Sequence, residues 1–160
     1  MAKNKDKIPL AKAEKTADSL REYFSDVCEQ VVVCGSVRRK AKTVADIDLV
    51  VLAPKKDLTD TIILNIHKTS LAGFRKISFT YFDIQVDIMI AYDPQEFAPM
   101  ILHCTGGKWS NIKMRRRAKE MGLKLNEYGL WKGGGRLPCK TEKDIYKHLG
   151  LEYIEPKNRN

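Results

Sequence analysis

The chain has 160 residues, which suits one domain or two small lobes packed as one unit. Its net charge of +9 favours a polyanion such as nucleic acid as a partner. No apolar run approaches the ~18 residues that cross a bilayer, and the charged start lacks the core of a secretion signal, so we expect no membrane partner. Four widely spaced cysteines without a C-x-x-C pair argue against a zinc site or disulfide framework and favour a reducing, intracellular compartment.

Hydrophobic spacing predicts the elements of the first half of the chain. Apolar residues at helical intervals predict a helix over about 10–28. The predicted elements that follow are a buried strand at Val31–Cys34, a strand over 47–53, a short helix capped by Asp57, and one or two strands over 74–91 with a turn near 81–83. Strict alternation puts Ile84, Val86 and Ile88 on one face of the last strand and Gln85 and Asp87 on the other.

Capping signals predict the elements of the second half. An Asp cap with Pro at the first helical position opens a helix at Asp93, which should stop at 105–107. The predicted elements that follow are a helix over about 108–121 ended by Gly122, short strands over 123–132, a flexible loop at 133–135, and a helix from the capping box at Thr141 to Leu149. Residues 1–91 carry a net +3 (15 basic, 12 acidic) and residues 92–160 a net +6 (14 basic, 8 acidic), which suggests a strand-rich first lobe and a basic second lobe.

Three carboxylates carry the clearest chemical signal. Asp46 and Asp48 open one predicted strand, and a period of two puts them on one face, ~6–7 Å apart. Such close carboxylates repel each other unless a cation lies between them. Asp87, on the polar face of a neighbouring strand, could supply a third oxygen ligand. This set suits Mg²⁺, and two such ions could activate a hydroxyl and stabilise a leaving pyrophosphate.

A phosphate-binding signal precedes these carboxylates. Gly35 and Ser36 follow the predicted strand at Val31–Cys34, and glycine allows a phosphate to approach the backbone. The Ser hydroxyl can donate to phosphate oxygens, and the guanidinium groups of Arg38 and Arg39 match phosphate geometry.

The order of these signals along the chain, Gly-Ser, Arg, Asp-x-Asp and then Asp on a later strand, resembles the pattern of the nucleotidyltransferase superfamily. The segment from Gly35-Ser36-Val37-Arg38-Arg39 to Asp46-Ile47-Asp48 looks like the palm of family X DNA polymerases, the DNA polymerase beta family. Further motifs recur in the order of that family's thumb, the lobe over the nascent base pair: Thr105-Gly106, Asn111, Met114-Arg115, Asn126-Glu127-Tyr128 and Thr141-Glu142-Lys143-Asp144-Ile145. The resemblance covers about residues 30–158 and is similar in layout to minimal viral members with palm and thumb alone.

The resemblance implies an α+β fold. A nucleotidyltransferase palm, a mixed sheet flanked by helices, would occupy residues 1–91, and a small α/β thumb subdomain residues 92–160. It also implies a site. The catalytic and metal-binding residues would be Asp46, Asp48 and Asp87. The nucleotide-binding residues would be Gly35, Ser36, Arg39, His103, Thr105, Gly106 and Asn111. The DNA-binding residues would be Lys108, Arg115, Arg116 and Lys119, with Glu127 helping to fix the closed thumb.

The implied activity is template-directed addition of deoxynucleotides to a primer 3′-hydroxyl at short gaps, in DNA repair. The implied cofactors are two Mg²⁺ ions, with Mn²⁺ as a substitute, and the implied partners are gapped or primer-template DNA and a dNTP. A monomer in the cytoplasm, a viral factory or the nucleus is expected. His103-Cys104 replaces the usual Tyr-Phe of the family, which leaves dNTP against NTP preference open. One helix alone precedes the palm, so we expect no lyase activity.

Two alternatives remain at this point. A template-independent nucleotidyltransferase, or one acting on a small molecule, protein or RNA end, would explain the carboxylates but not the basic second lobe. A non-enzymatic nucleic-acid-binding module would retain a relic palm, although three clustered acids would oppose DNA binding without metals.

Overall fold

The structure, a computed structural model, describes residues 7–54, 58 and 69–159. The strands are β1 (Ile8–Pro9), β2 (Cys28–Val33), β3 (Thr43–Val44), β4 (Asp46–Pro54), β5 (Thr69–Ala72), β6 (Lys76–Tyr81), β7 (Ile84–Ala91), β8 (Lys124–Asn126), β9 (Gly129–Lys132) and β10 (Gly135–Leu137). The helices are α1 (Leu10–Ser25), α2 (Gly35–Arg38), α3 (Pro94–Thr105), α4 (Lys108–Glu120) and α5 (Glu142–His148), followed by a 3₁₀ turn at Pro156–Asn158. Most of the helix predicted after Asp57 lies outside the described residues.

Five strands form a mixed sheet in the order β2-β4-β7-β6-β5. Strands β4 and β7 run parallel, with Asp48 opposite Asp87, and the other neighbouring pairs are antiparallel. Helix α1 covers one face, where its buried Phe24 joins Ile47 and Val86 in the largest apolar cluster. The predicted α+β fold with a mixed sheet flanked by helices is therefore confirmed.

The opposite face of this sheet carries the candidate site. Helix α3 packs there, with Met100 and Ile101 against Val50 and Leu52 of β4. Since side chains alternate along a strand, Asp46 and Asp48 point to the same side as Val50 and Leu52. The carboxylates thus lie beside α3, on the face that the second lobe adjoins.

The C-terminal strands and helices share a separate apolar cluster. Strands β8, β9 and β10 form an antiparallel sheet with β9 in the middle. Leu130 from this sheet packs with Met114 and Ala118 of α4 and with Ile145 of α5. Within the described ranges, no helix combines the length and apolarity needed to cross a membrane.

Two predicted elements need correction, and one short helix was not predicted. Helix α1 ends at Ser25 instead of about 28, because Cys28 already pairs with Pro54 in the sheet. The loop predicted at 133–135 is a tight turn at Gly133 and Gly134, both with positive φ, and Gly135 starts β10. The short helix α2 was not predicted, since four residues are too few for a periodic signal.

Candidate active site

The sheet register brings the three predicted carboxylates together. In the parallel pair β4 and β7, Asp46 lies opposite Gln85 and Asp48 opposite Asp87. Directly paired residues share a face of the sheet, so all three carboxylates project to one side. Their electrostatic coupling is direct, because the charges of Asp46 and Asp87 both act on Asp48.

The environment of Asp48 disfavours the ionised form of its carboxyl group. Burial raises its pKa to about 6, and the negative charges of Asp46 and Asp87 add to this effect. Lys76 and Arg39 oppose it, but less strongly. A cation placed among these carboxylates would relieve both the desolvation and the repulsion.

Asp87 has a firmer set of partners. Lys76 Nζ lies 3.0 Å from Asp87 Oδ2, and Gln85 Nε2 donates to Asp87 Oδ1 at 3.1 Å. Burial raises the pKa of Asp87, but the hydrogen bonds from Lys76, Ser78 and Gln85 outweigh it and leave the pKa below its ordinary value. Asp87 is therefore ionised at neutral pH.

The oxygen atoms of the three carboxylates are suitable ligands for a divalent cation, but they do not converge on one point in this structure. Among the residues that the structure describes, no three Asp, Glu, His or Cys side chains converge into a metal-binding group. In this arrangement Lys76 engages Asp87. The all-oxygen donors, their mutual repulsion and their common face nevertheless match what Mg²⁺ requires.

Gly35 fits closely against this carboxylate cluster. It starts α2 with φ +59°, a left-handed conformation that favours glycine. A Cβ at this position would lie 1.9 Å from Asp48 Oδ2, so any larger residue would displace that carboxylate. The Cys34 N–H donates to the Asp48 carbonyl at 2.8 Å and fixes the loop to β4. The buried Ser36 Oγ finds no partner among the described residues, which leaves it able to bond a ligand.

The two arginines after Ser36 have different partners. Arg39 Nη1 donates to the Thr105 carbonyl at 2.7 Å and joins two predicted nucleotide-binding positions. Arg38 donates to Thr105 Oγ1 at 2.7 Å and makes two bonds to Glu142, at 2.6 and 3.1 Å. The guanidinium of Arg38 is therefore engaged by Glu142 in this arrangement, and phosphate binding by Arg38 stays a prediction.

The predicted base-contacting residues cluster between α3 and α4. Asn111 Nδ2 donates to the carbonyls of His103, at 2.8 Å, and Gly106, at 3.3 Å. Arg115 Nη2 lies 3.0 Å from His103 Nδ1 and pairs with Glu127 at 3.7 Å. Burial lowers the pKa of His103, so its neutral ring can accept the bond from Arg115. These contacts tie both helices to the strand turn that carries Glu127.

The remaining predicted DNA contacts lie on the solvent-exposed outer surface of α4. Lys108, Arg116 and Lys119 are all exposed there. Lys108 Nζ lies 5.9 Å from the ring centroid of Trp109, and Arg116 pairs with Glu120 at 3.7 Å. Together they give this side of α4 a basic surface.

Sequence reasoning missed the polar residues that β6 contributes. Lys76 and Ser78 both bond Asp87. Lys76 and Ser78 alternate with Ile77 and Phe79, and such alternation predicts a strand with one polar face. The apolar pair does lie in the core, and the polar pair faces the carboxylates. Only the register, however, assigns them to Asp87.

Two family models and several known proteins match the chain. The family models for the DNA polymerase beta palm and thumb match residues 7–117 and 100–160. Repair DNA polymerase X of African swine fever virus is 33% identical, over 95% of this chain and 99% of its own length. The DNA polymerase/3′-5′ exonuclease PolX of Bacillus subtilis is 31% identical over 98% of this chain, which spans 29% of that protein.

A solved structure supports the fold independently. A Leishmania infantum polymerase beta, solved as a ternary P/T complex, superposes with a TM-score of 0.79 and 24% identity. The alignment covers 97% of this chain and 77% of the other. The chain belongs to family X of DNA polymerases, the DNA polymerase beta family, and is a nucleotidyltransferase.

Proposed function

We propose that the chain is a template-directed DNA polymerase that adds deoxynucleotides to a primer 3′-hydroxyl at short gaps, in DNA repair. The observation that carries this proposal is the common face of Asp46, Asp48 and Asp87, with Gly35 packed against Asp48. The viral relative of matching length, which is named a repair polymerase, supports the repair role.

In this proposal Asp46, Asp48 and Asp87 would hold two Mg²⁺ ions, which Mn²⁺ could replace. The bound ions would supply charge neutralisation of the triphosphate and a lower pKa of the primer hydroxyl. Asp87, ionised at neutral pH, helps to remove the hydroxyl proton. Gly35 lets Asp48 pack against the loop that would carry the triphosphate, and the Ser36 hydroxyl, which has no partner among the described residues, donates to the triphosphate.

The neighbouring groups position the nucleotide. Arg39 binds the triphosphate, and for this it must exchange its bond to the Thr105 carbonyl for a phosphate oxygen. Thr105 and Gly106 support the sugar, and Asn111 and His103 lie on the side of the base. Rate then comes mainly from positioning and charge neutralisation.

We further propose a division into a palm, residues 1–91, and a thumb, residues 92–160. The thumb would grip DNA through Lys108, Arg115, Arg116 and Lys119, with the Arg115–Glu127 pair fixing the closed position. The protein would act as an intracellular monomer. Its four cysteines are free thiols in the structure, which is compatible with a reducing compartment.

The second candidate is a nucleotidyltransferase that works without a template, or on a small molecule or RNA end. The carboxylates and the Gly35-Ser36 loop serve this chemistry equally well. The basic outer surface of α4 favours the polymerase, because a small acceptor has no need of it.

Nucleotide addition to a one-nucleotide gap separates the candidates. Each dNTP is supplied alone, with Mg²⁺, on four duplexes that differ in the templating base. The polymerase adds the matched nucleotide on each duplex. Addition irrespective of the template would establish a terminal transferase instead. No addition with Mg²⁺ or Mn²⁺ would refute the polymerase and leave a transferase that acts on a small molecule or an RNA end.

A further inference from the structure

Lys76 is a cation that reaches the carboxylate site from the neighbouring strand. In the antiparallel pair β6 and β7, Lys76 lies opposite Met89 and Ser78 opposite Asp87. Asp87 is thus the diagonal neighbour of Lys76 on the same face, at a distance that a long side chain can bridge. Lys76 Nζ does so, 3.0 Å from Asp87 Oδ2.

The contact occupies the oxygen of Asp87 that Gln85 leaves open. Gln85 Nε2 holds Oδ1, and Lys76 holds Oδ2. The positive charge of Lys76 also acts on Asp48, where it favours the ionised form. One ammonium group therefore offsets part of the repulsion between these carboxylates, which is the task expected of a metal ion.

The ammonium group of Lys76 can also move away from Asp87. Its side chain is 43% exposed, and four rotatable bonds give the ammonium group alternative positions in solvent. Partly exposed lysine–carboxylate pairs hold together weakly, so a divalent ion with twice the charge can displace this one. The backbone of β6 and β7 need not move, because the pair joins side chains only.

We infer that Lys76 is an internal counter-cation that holds Asp87 in the metal-free site and yields Asp87 Oδ2 when a divalent ion binds. Lys76 is then a positioning residue that sets metal affinity through competition. This inference rests on the proposed function, since it needs the three aspartates to be metal ligands.

The test measures Mn²⁺ binding to the purified protein without DNA or nucleotide, by isothermal titration and by the loss of the free-Mn²⁺ EPR signal. Lys76→Met removes the competitor and should tighten Mn²⁺ binding about tenfold. Lys76→Arg keeps the positive charge and should stay within about threefold of the wild type. Lys40→Met is the matched control, because it removes another lysine–carboxylate pair, Lys40–Glu14 at 2.6 Å, away from the carboxylates.

The thermal midpoint of the metal-free protein gives the second readout. Lys76→Met should lower it slightly, since the carboxylates lose their counter-charge, while Mn²⁺ affinity rises. A purely structural role would lower stability without any gain in affinity, so that result, or equal affinities of wild type and Lys76→Met, overturns the inference and leaves the metal site standing. Absence of Mn²⁺ binding in the wild type and all variants would overturn the metal site and the inference together.

Discussion

Gly35 and Asp48 lie so close together that a side chain at position 35 would meet the carboxylate. The absent Cβ of Gly35 leaves the space that Asp48 Oδ2 fills. Gly122 offers a natural comparison, because it has a similar positive φ of +70° but nothing within 4 Å of its Cβ position. Comparing substitutions at the two glycines therefore separates the effect of backbone strain from the effect of displacing the Asp48 carboxylate, which we propose to be catalytic.

Gly35→Ala should lower the rate of gap filling at least about 100-fold, because the new methyl group displaces the Asp48 carboxylate. Gly122→Ala should cost about 1–2 kcal/mol of stability through strain alone and leave the insertion rate near that of the wild type. Single-turnover insertion and thermal melts of both variants provide the comparison. Equal activity in the two variants would mean that the Gly35–Asp48 contact has no catalytic importance.

The raised pKa of Asp48 makes stability depend on pH. A carboxyl whose pKa rises from 3.8 unfolded to about 6 folded binds its proton more tightly in the folded state. The protein is thus destabilised as pH rises from about 4 through 6. The full cost is at most about 3 kcal/mol, reached above pH 7.

Asp48→Asn should therefore raise the thermal midpoint of the metal-free protein, measured with a chelator present. The gain at pH 5 should be about half the gain at pH 7.5. Asp18→Asn, at an exposed position of α1, controls for the loss of one charge. A pH-independent gain would show that Asp48 titrates normally. Adding Mg²⁺ should reduce the difference in thermal midpoint between Asp48→Asn and the wild type, since the ion stabilises the wild type.

At this scale the sequence predicts some partners and not others. Asp46 and Asp48 could be paired from local alternation, because two residues of one strand need no knowledge of the sheet. The approach of Lys76 to Asp87 depends on the register of β6 against β7, and that register is set by the Phe82–Asp83 turn and the core. Arg38 shows the same limit, since its partner Glu142 is 104 positions away.

At the scale of elements, a buried ion network joins the two predicted lobes. Glu142, at the start of α5, receives two bonds from Arg38 of α2 and one of 2.5 Å from Arg159. Arg159 is fully buried, and its Nε also donates to the Ile154 carbonyl at 2.7 Å. Glu142 therefore holds the loop beside the site, the second lobe and the C-terminal segment in one arrangement.

Glu142→Ala should destabilise the protein by about 3–5 kcal/mol, because it leaves the buried Arg159 guanidinium without its counter-charge. Glu120→Ala is the matched control, as Glu120 also faces two arginines but in an exposed setting. That variant should lose less than about 1 kcal/mol. Chemical denaturation of both variants measures the difference, and similar losses would contradict a stabilising role for the network.

Helices were easier to predict than the smallest strands. The Asp93 cap accepts from the Gln95 N–H, and the Thr141 capping box forms with Asp144, so local chemistry located α3 and α5. Strands β1, β3 and β10 have only two or three residues each and exist through their partners. Their patterns are too short to be read without those partners.

At the scale of the whole molecule, the positive charge is concentrated where DNA is expected. The outer surface of α4 carries Lys108, Arg116 and Lys119, all exposed. Each phosphate contact releases about one counterion, so binding of gapped DNA should weaken steeply with salt.

Replacing Arg116 and Lys119 together with Gln should reduce the salt slope, d log K/d log[salt], by about two in magnitude. Lys12→Gln, on the exposed side of α1, changes the charge away from this surface and should leave the slope unchanged. Fluorescence anisotropy between 50 and 300 mM salt measures both. An unaltered slope in the double variant would remove α4 from the DNA interface.

The most direct test of the central claim is the metal-dependent insertion rate of Asp87→Asn. Wild type should fill a one-nucleotide gap with a rate that saturates in Mg²⁺ and vanishes with chelator. Asp87→Asn should bind gapped DNA normally and lose at least about a thousandfold in rate, whereas Asp18→Asn should match the wild type. An Asp87→Asn rate within about tenfold of the wild type would contradict the assignment of Asp46, Asp48 and Asp87 as the catalytic centre.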